Sequence, residues 1–485
     1  MGKSLFESMR HVRIPYFNST GSYQSTKVYD RPLFSHVGKK TMAYEGIVRN
    51  PVIVVHGFLG SYLEDSKTGD NVWGVFDGIE TLEGYSEKHL QNLSHPMQID
   101  KPLHKLINHI RPAHLLGKIN LKIFKWKIPL NAYDKMLDIL TKAGYCREDK
   151  PLPKNKNFHS LFSFYYDWRR DLPESAARLH EFILEKKAYL QQQYEKLYNI
   201  KNYDVQFDIV SHSMGGLLSR YYLRYGAQDL PPDGTLPKLD WRGSLEVDKL
   251  IIVGTPNAGY LDTCLEMVSG LRLEPLIPAY HPILIGTFPS YYQMLPLNDT
   301  RSVVYADDPD GEPVDLFDPA VWEKLGWGLA SPNNDAMLKI LLPEIKDPAE
   351  RHRTALEHLK KCLCRAKQFT AAMRICATPP DDVAMFAFVG DAVETSRRAT
   401  VNRETGELKV VEYEAGDGKV LASSVRMDES SGEEADWQPF ERTPIKWQAV
   451  VHLKAGHMGI TESYSFADNV SYYLLAYPTK KQAKC

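Results

Sequence analysis

Apolar positions along the chain fall into two rhythms. Short runs rich in β-branched and aromatic residues recur at Pro51–Val55, Leu161–Tyr166, Val205–Val210, Leu250–Val253, Met385–Val389 and Trp447–His452. Pro51–Val55 and Leu250–Val253, continuous and apolar, predict strands buried on both faces of a parallel sheet, and the other runs predict further strands. Between them the spacing turns helical. Leu179, Phe182, Ile183, Leu190, Tyr194 and Leu197 mark one long helix, opened by a capping-box pattern of Asp171 and Glu174 around Pro173. Leu217, Leu218, Tyr221 and Tyr225 form one face of a second, stopped by Gly226, and Ser463–Tyr477 predicts a closing helix. Arg397–Tyr413, with Glu404–Gly406 at its centre, predicts a β-hairpin. Strand–helix alternation at these intervals predicts an α/β fold: a mostly parallel central sheet with right-handed crossovers and helices on both faces.

The rhythm is interrupted twice. Residues 61–145 and 260–375 read as insertions into a single domain spanning 49–485, preceded by an extension over 1–48 with no clear period. The second insertion is apolar and proline-broken from Leu271 to Leu297, then charged and helical from Asp335 to Cys376, as a cap or lid over a greasy site would be. Within the first, Lys101–Tyr133 carries seven Lys/Arg residues and no Asp or Glu, interleaved with Leu103, Leu106, Ile107, Leu115, Leu116, Leu121, Ile123, Phe124 and Trp126. That mixture suits peripheral contact with an anionic lipid surface; a solvated helix and edge strand would read the same way. Residues 424–443 read as an exposed acidic loop.

Composition changes this picture little. The chain has 485 residues, 43% hydrophobic and 25% charged, with a formal net charge of -2. It is long enough for a large core and shows no bias toward nucleic acid. No apolar run approaches the ~18 residues of a membrane-spanning helix. The N-terminus lacks the apolar stretch of a secretory signal, Phe6 breaks a myristoylation pattern, and Cys485 stands too late for prenylation. Six scattered cysteines give no zinc or disulfide spacing. A cytoplasmic setting is the default expectation, and a secreted mature form would look the same. No cofactor is expected.

The chemistry concentrates where the Val205–Val210 strand breaks into Ser211-His212-Ser213-Met214-Gly215 and a helix follows. Strand, sharp turn carrying a serine, then helix is a nucleophile elbow, with small residues required two before and two after the serine. A serine needs a histidine base and a carboxylate to fix that base's tautomer. In α/β-hydrolases these follow the serine in the order acid, then histidine. Asp417, between Gly416 and Gly418, and His457, in Gly456-His457-Met458-Gly459, stand in that order. Asp391 and His452 are the rivals. Two backbone amides must serve the oxyanion: Met214 after the nucleophile, and Phe58 in the His56–Ser61 loop after the first strand.

Together, V-I-V-V-H-G-F-L-G-S-Y-L-E-D from Val52, Y-D-W-R from Tyr166, S-H-S-M-G-G, G-T-P-N-A-G from Gly254, F-P-S-Y-Y-Q-M-L-P from Phe288, G-D-G-K-V and G-H-M-G-I resemble the lecithin:cholesterol acyltransferase family, a branch of the α/β-hydrolases. The resemblance runs from about residue 50 to 475 and is weak in both insertions. It places the family's triad on Ser213, Asp417 and His457 and its oxyanion donors on Phe58 and Met214. It implies acyl transfer from phospholipid or other lipid esters to an alcohol or water, beneath a mobile lid. Ser211 departs from the family's usual glycine, and the missing secretion signal departs from its plasma members. Tyr166–Arg169 reads as a buried structural ion pair. A soluble carboxylesterase for small esters, or a catalytically inactive lipid-binding relative, would share much of this pattern.

Overall fold

The computed structural model describes residues 10–17, 23–30, 45–47, 49–74, 84–116, 118–123, 126–131, 133–273, 278–380, 383–428 and 443–479. Its centre is a six-stranded sheet: β1 (Val52–Val55), β2 (Leu161–Phe164), β3 (Phe207–His212), β4 (Val247–Val253), β5 (Ala384–Gly390) and β6 (Ala449–Leu453). The spatial order is β6-β5-β4-β3-β1-β2, and every neighbouring pair is parallel. Six helices matter for the site: α1 (Asp134–Lys142), α2 (Leu172–Tyr198), α3 (Met214–Tyr225), α4 (Leu261–Ser269), α5 (Pro348–Arg374) and α6 (Tyr464–Leu475).

The inner strands β1, β3, β4 and β5 are buried throughout because both faces are covered, whereas edge strand β6 is only partly buried. Ile53, Val55, Ile209 and Ile252 pack into a core shared with α2, α3 and α5. Val52, Val54, Val210 and Val253 face the other way, toward Met136 and Leu140 of α1 and Phe466 and Val470 of α6. This is the doubly covered α/β-hydrolase sheet expected from the sequence. Chain order reverses between β1 and β3, which places the β1 and β3 loops side by side at the strands' carboxyl ends, where such sheets bind ligands.

Several local readings change. All twelve residues of α3 are buried, including Arg220 and Arg224, because α3 lies between the sheet and α5 rather than presenting one face to water. Asp171 does precede α2, but its side chain caps nothing. Gln293 does that work: its Oε1 accepts the Leu172 amide at 2.9 Å while its Nε2 donates to Asp171 Oδ1 at 2.5 Å. The other Asp171 oxygen accepts two bonds from Arg365 of α5, at 2.8 and 2.6 Å. One turn earlier on α5, Lys361 donates to the carbonyls of Gln98 at 2.7 Å and Lys101 at 2.9 Å, and also to that of Ile99. His358, nearer still to the N-terminus of α5, bonds the Thr287 carbonyl at 2.9 Å.

Of the 1–48 extension the structure describes an antiparallel hairpin, Arg10–Phe17 with Tyr23–Asp30, where the sequence shows no period; residues 1–9, 18–22, 31–44 and 48 lie outside the described residues. The 61–145 insertion contains an antiparallel sheet of Ser61–Asp65, Asn71–Trp73 and Ile110–Leu115. In the basic segment, Leu103, Leu106 and Leu116 are buried in the protein rather than offered outward, and Ile107 is 72% exposed. The side chains of Leu121, Ile123, Phe124 and Trp126 lie outside the described residues. The hairpin over Val393–Val401 and Leu408–Gly416 forms as expected. The start of the supposed acidic loop is instead a short helix, Ala422–Arg426, with Ser424 and Val425 buried; residues 429–442 lie outside the described residues. No described helix is long and apolar enough to cross a membrane.

Candidate active site

β3 ends at His212, and Ser213 takes φ 53°, ψ -130° before α3 begins at Met214. A non-glycine residue in that region costs about 1–3 kcal/mol and persists only where its surroundings dictate it. They do so here. The Ser213 amide donates to the Val253 carbonyl at 2.8 Å, and its carbonyl accepts from Gly216 at 2.9 Å. A Cβ on Gly215 would lie 2.2 Å from the His56 carbonyl oxygen, and one on Gly57 would lie 2.7 Å from the Ser213 Cβ. The β1 loop and the elbow therefore approach closely enough to require glycine on both sides. Ser211 tolerates its place because it is still a strand residue, paired with Val55 and Ile252, and its hydroxyl reaches the Ile251 carbonyl at 3.4 Å.

Ser213 Oγ lies 2.9 Å from His457 Nε2, and His457 Nδ1 lies 2.8 Å from Asp417 Oδ2. A carboxylate only accepts, so Nδ1 carries a proton, and in the neutral imidazole Nε2 is then bare toward the serine, the tautomer a general base needs. Asp417 Oδ1 accepts the amides of Lys419 at 3.0 Å and Val420 at 2.7 Å. Burial pushes the Asp417 carboxyl upward, but His457 and these amides outweigh it and hold the group below its ordinary value of 3.8. Gly254, at φ +56°, leaves room for the pair: a Cβ there would lie 3.1 Å from Asp417 Oδ2. Lys419 anchors the acid loop to α4 through Asp262 at 3.0 Å and Glu266 at 2.9 Å.

A depressed carboxylate stabilises the fold above its unfolded pKa, and that contribution disappears as pH falls through the folded value. Asp417→Asn should therefore lower the urea midpoint at pH 7, with the gap to the unaltered protein closing on titration below about pH 4. A gap that stays constant across that range would contradict the assignment.

The amides of Phe58 and Met214 have no hydrogen-bond partner among the described residues. The Phe58 ring sits among Trp168 (4.9 Å), Tyr291 (4.7 Å) and Phe288 (6.4 Å). The Y-D-W-R and F-P-S-Y-Y stretches thus converge on the β1 loop. Trp168 is fixed in turn by its indole N–H to the Ser61 carbonyl, 3.2 Å, and by Ser290, whose hydroxyl donates to its carbonyl at 2.5 Å. Asp167 and Arg169 form the expected buried ion pair at 2.7 Å.

The structure brings Ser213, Asp417 and His457 together and leaves the rivals paired with each other: His452 Nδ1 is 3.0 Å from Asp391 Oδ2. Among the described residues no cluster of three or more His, Cys, Asp or Glu side chains is arranged to hold a metal ion. Sequence reasoning missed Tyr133 and His212, both buried beside the triad. His212 stood inside the elbow pattern with no role assigned. Tyr133 closes a basic stretch whose composition pointed outward.

Residues 117–315 match the model of the lecithin:cholesterol acyltransferase family. That span includes the elbow but neither Phe58 nor Asp417 and His457. No curated protein matches the sequence. Among solved structures, the chain is similar to one in the crystal structure of the Tle4–Tli4 complex, with 12% identity and a TM-score of 0.52 over 89% of this chain and 99% of that one. It is also similar to lipase 1 from Pelosinus fermentans, with 11% identity and a TM-score of 0.34 over 88% of this chain and 99% of that one. The mature form of Bacillus licheniformis lipase BlEst2 gives 12% identity and a TM-score of 0.31 over 89% and 94%. At these identities the first likeness speaks to the fold.

Proposed function

We propose that this α/β-hydrolase, matched to the lecithin:cholesterol acyltransferase family across its elbow, transfers acyl groups from lipid esters to an alcohol or to water through an acyl-enzyme on Ser213. The observation that carries the reading is the unbroken line Ser213 Oγ–His457 Nε2 (2.9 Å) and His457 Nδ1–Asp417 Oδ2 (2.8 Å) on a strained turn. Ser213 Oγ attacks the ester carbonyl as its proton passes to His457 Nε2, and Asp417 steadies the imidazolium. The carbonyl oxygen, now an anion, is met by the amides of Phe58 and Met214. The C–O bond to the leaving alcohol breaks as His457 returns the proton to that oxygen. Water or a second alcohol then attacks the acyl-serine by the same steps, giving a fatty acid or a new ester and restoring Ser213. Phospholipid is the donor class in the matched family's description, and acylglycerol is the second class this proposal admits.

A fluorophosphonate probe followed by peptide mapping tests the nucleophile, with label expected on Ser213 alone. Acyl-labelled phospholipid, with and without a long-chain alcohol, then identifies the acceptor: labelled fatty acid reports hydrolysis and labelled ester reports transfer. Absence of both label on Ser213 and labelled product would overturn the reading.

A further inference from the structure

Three loops carry the reacting groups proposed above, and one chain of buried and part-buried hydrogen bonds runs through all three. The Gly57 amide, in the β1 loop, donates to the Tyr133 hydroxyl at 2.7 Å. That hydroxyl lies 3.2 Å from Nδ1 of His212, the residue before the nucleophile. His212 Nε2 lies 3.2 Å from the backbone carbonyl of His457. Chemistry fixes every direction. A carbonyl only accepts, so Nε2 carries the proton. Burial, with a smaller push from His457, holds the His212 imidazole down near 3, so it is neutral and has a single N–H. Its Nδ1 is then a bare acceptor, and Tyr133 is the donor. Burial raises the Tyr133 phenol above its ordinary value, so that proton stays in place.

A second clamp acts on the same loop. His56 Nδ1 donates to the Gly57 carbonyl at 2.7 Å, while His56 Nε2 accepts the Tyr166 amide at 3.1 Å. In a trans peptide the carbonyl and the following N–H lie in one plane and point in opposite directions. Holding the Gly57 carbonyl on His56 therefore fixes the direction of the Phe58 N–H. Holding the Gly57 N–H on Tyr133 fixes the plane before it. Tyr133 comes from the 61–145 insertion, immediately before α1, so a segment outside the α/β core completes the arrangement.

We propose that Tyr133 and His212 are positioning residues that lock the Phe58 loop, the serine elbow and the His457 loop into one frame before substrate arrives. The proposal rests on the acyl-transfer reading. Neither residue touches the reacting atoms. Their effect is on where the Phe58 amide and His457 stand, and a misplacement of ~1 Å at such a site costs ~10²-fold in rate.

Two variants cut the same bond from opposite ends. Tyr133→Phe keeps the ring and removes the hydroxyl. His212→Gln keeps an N–H for the His457 carbonyl and removes the Nδ1 acceptor. Rates on a p-nitrophenyl ester are expressed per active site, titrated by fluorophosphonate on Ser213, so that unfolded protein does not count. Each variant should lower kcat by ~10²-fold with KM within about twofold, and the double variant should be no slower than the slower single one. A purely structural role would instead reduce the number of titrated sites and leave kcat per site unchanged; that result, or fully additive losses in the double variant, overturns the proposal. Failure of the unaltered protein to take up label overturns the underlying reading and this proposal with it, and is seen before any variant is made.

Discussion

Ser213→Ala should abolish ester turnover, by a factor of about 10⁶, with the unfolding midpoint nearly unchanged. The hydroxyl's partner in the structure is His457, whose Nε2 is 2.9 Å away. The turn itself is fixed by backbone bonds of residue 213 to Val253 and Gly216, which alanine keeps. Activity and stability should therefore separate cleanly. His457→Ala should be about as damaging, and combining the two should add little, because neither residue acts without the other. Turnover on a p-nitrophenyl ester and thermal melting measured together are the check. Substantial turnover by Ser213→Ala would place the nucleophile elsewhere.

Arg169→Ala should instead act first on the fold, with a large loss of stability. The guanidinium is fully buried and bonds both oxygens of Asp167, at 2.9 and 2.7 Å. Its remaining nitrogen donates to the carbonyls of Asn92, Leu93 and Ser94, at 3.1, 3.0 and 3.2 Å, at the C-terminal end of the Glu87–Leu93 helix. Removing it strands a buried carboxylate and three carbonyls, a change worth about 3–5 kcal/mol. The pH dependence gives a sharper signature. Burial alone drives the Asp167 carboxyl upward, and in the native protein Arg169 outweighs that and holds it low. Without Arg169 the folded pKa rises above the unfolded one. The variant's deficit should then shrink below the unfolded carboxylate pKa and grow as pH rises through the folded value. Urea denaturation across pH is the measurement, and Asp167→Asn introduced alongside should recover part of the loss. Because Trp168 between the pair packs on Phe58 at 4.9 Å, activity should decline as well.

What could be read in the chain followed from how local the signal was. The strands were legible because Val52–Val55 and Val247–Val253 are buried on both faces, and only a continuous apolar run satisfies that. Ser213, Asp417 and His457 were legible as candidates because loop chemistry and chain order survive in one dimension. Tyr133 was not. Its partners are 76 and 79 residues away, and the stretch before it has no period to suggest that one ring turns inward. The complete burial of α3 was hidden for a related reason: periodicity reports the face against the sheet, while Arg220 and Arg224 are covered by contacts from α5 and the residue following it, through the carbonyls of Met373, Ala372 and Ile375. Asp171 shows local inference failing outright. A residue ideal for capping was taken over by Arg365 from 194 positions further along, and a glutamine capped in its stead.

That last bond has a mechanical meaning. His358, Lys361 and Arg365 stand on successive turns of α5 and are tied to three different parts of the protein: the Thr287 carbonyl, the Gln98–Lys101 carbonyls and the Asp171 carboxylate. To swing α5 away, all three would have to let go together, and Asp171 would lose its guanidinium while still flanked by α2. This 27-residue helix is thus a rafter and not a door. On the acyl-transfer proposal, the movement that admits an acyl chain is expected in shorter pieces of the 260–375 segment, with α5 as their fixed frame.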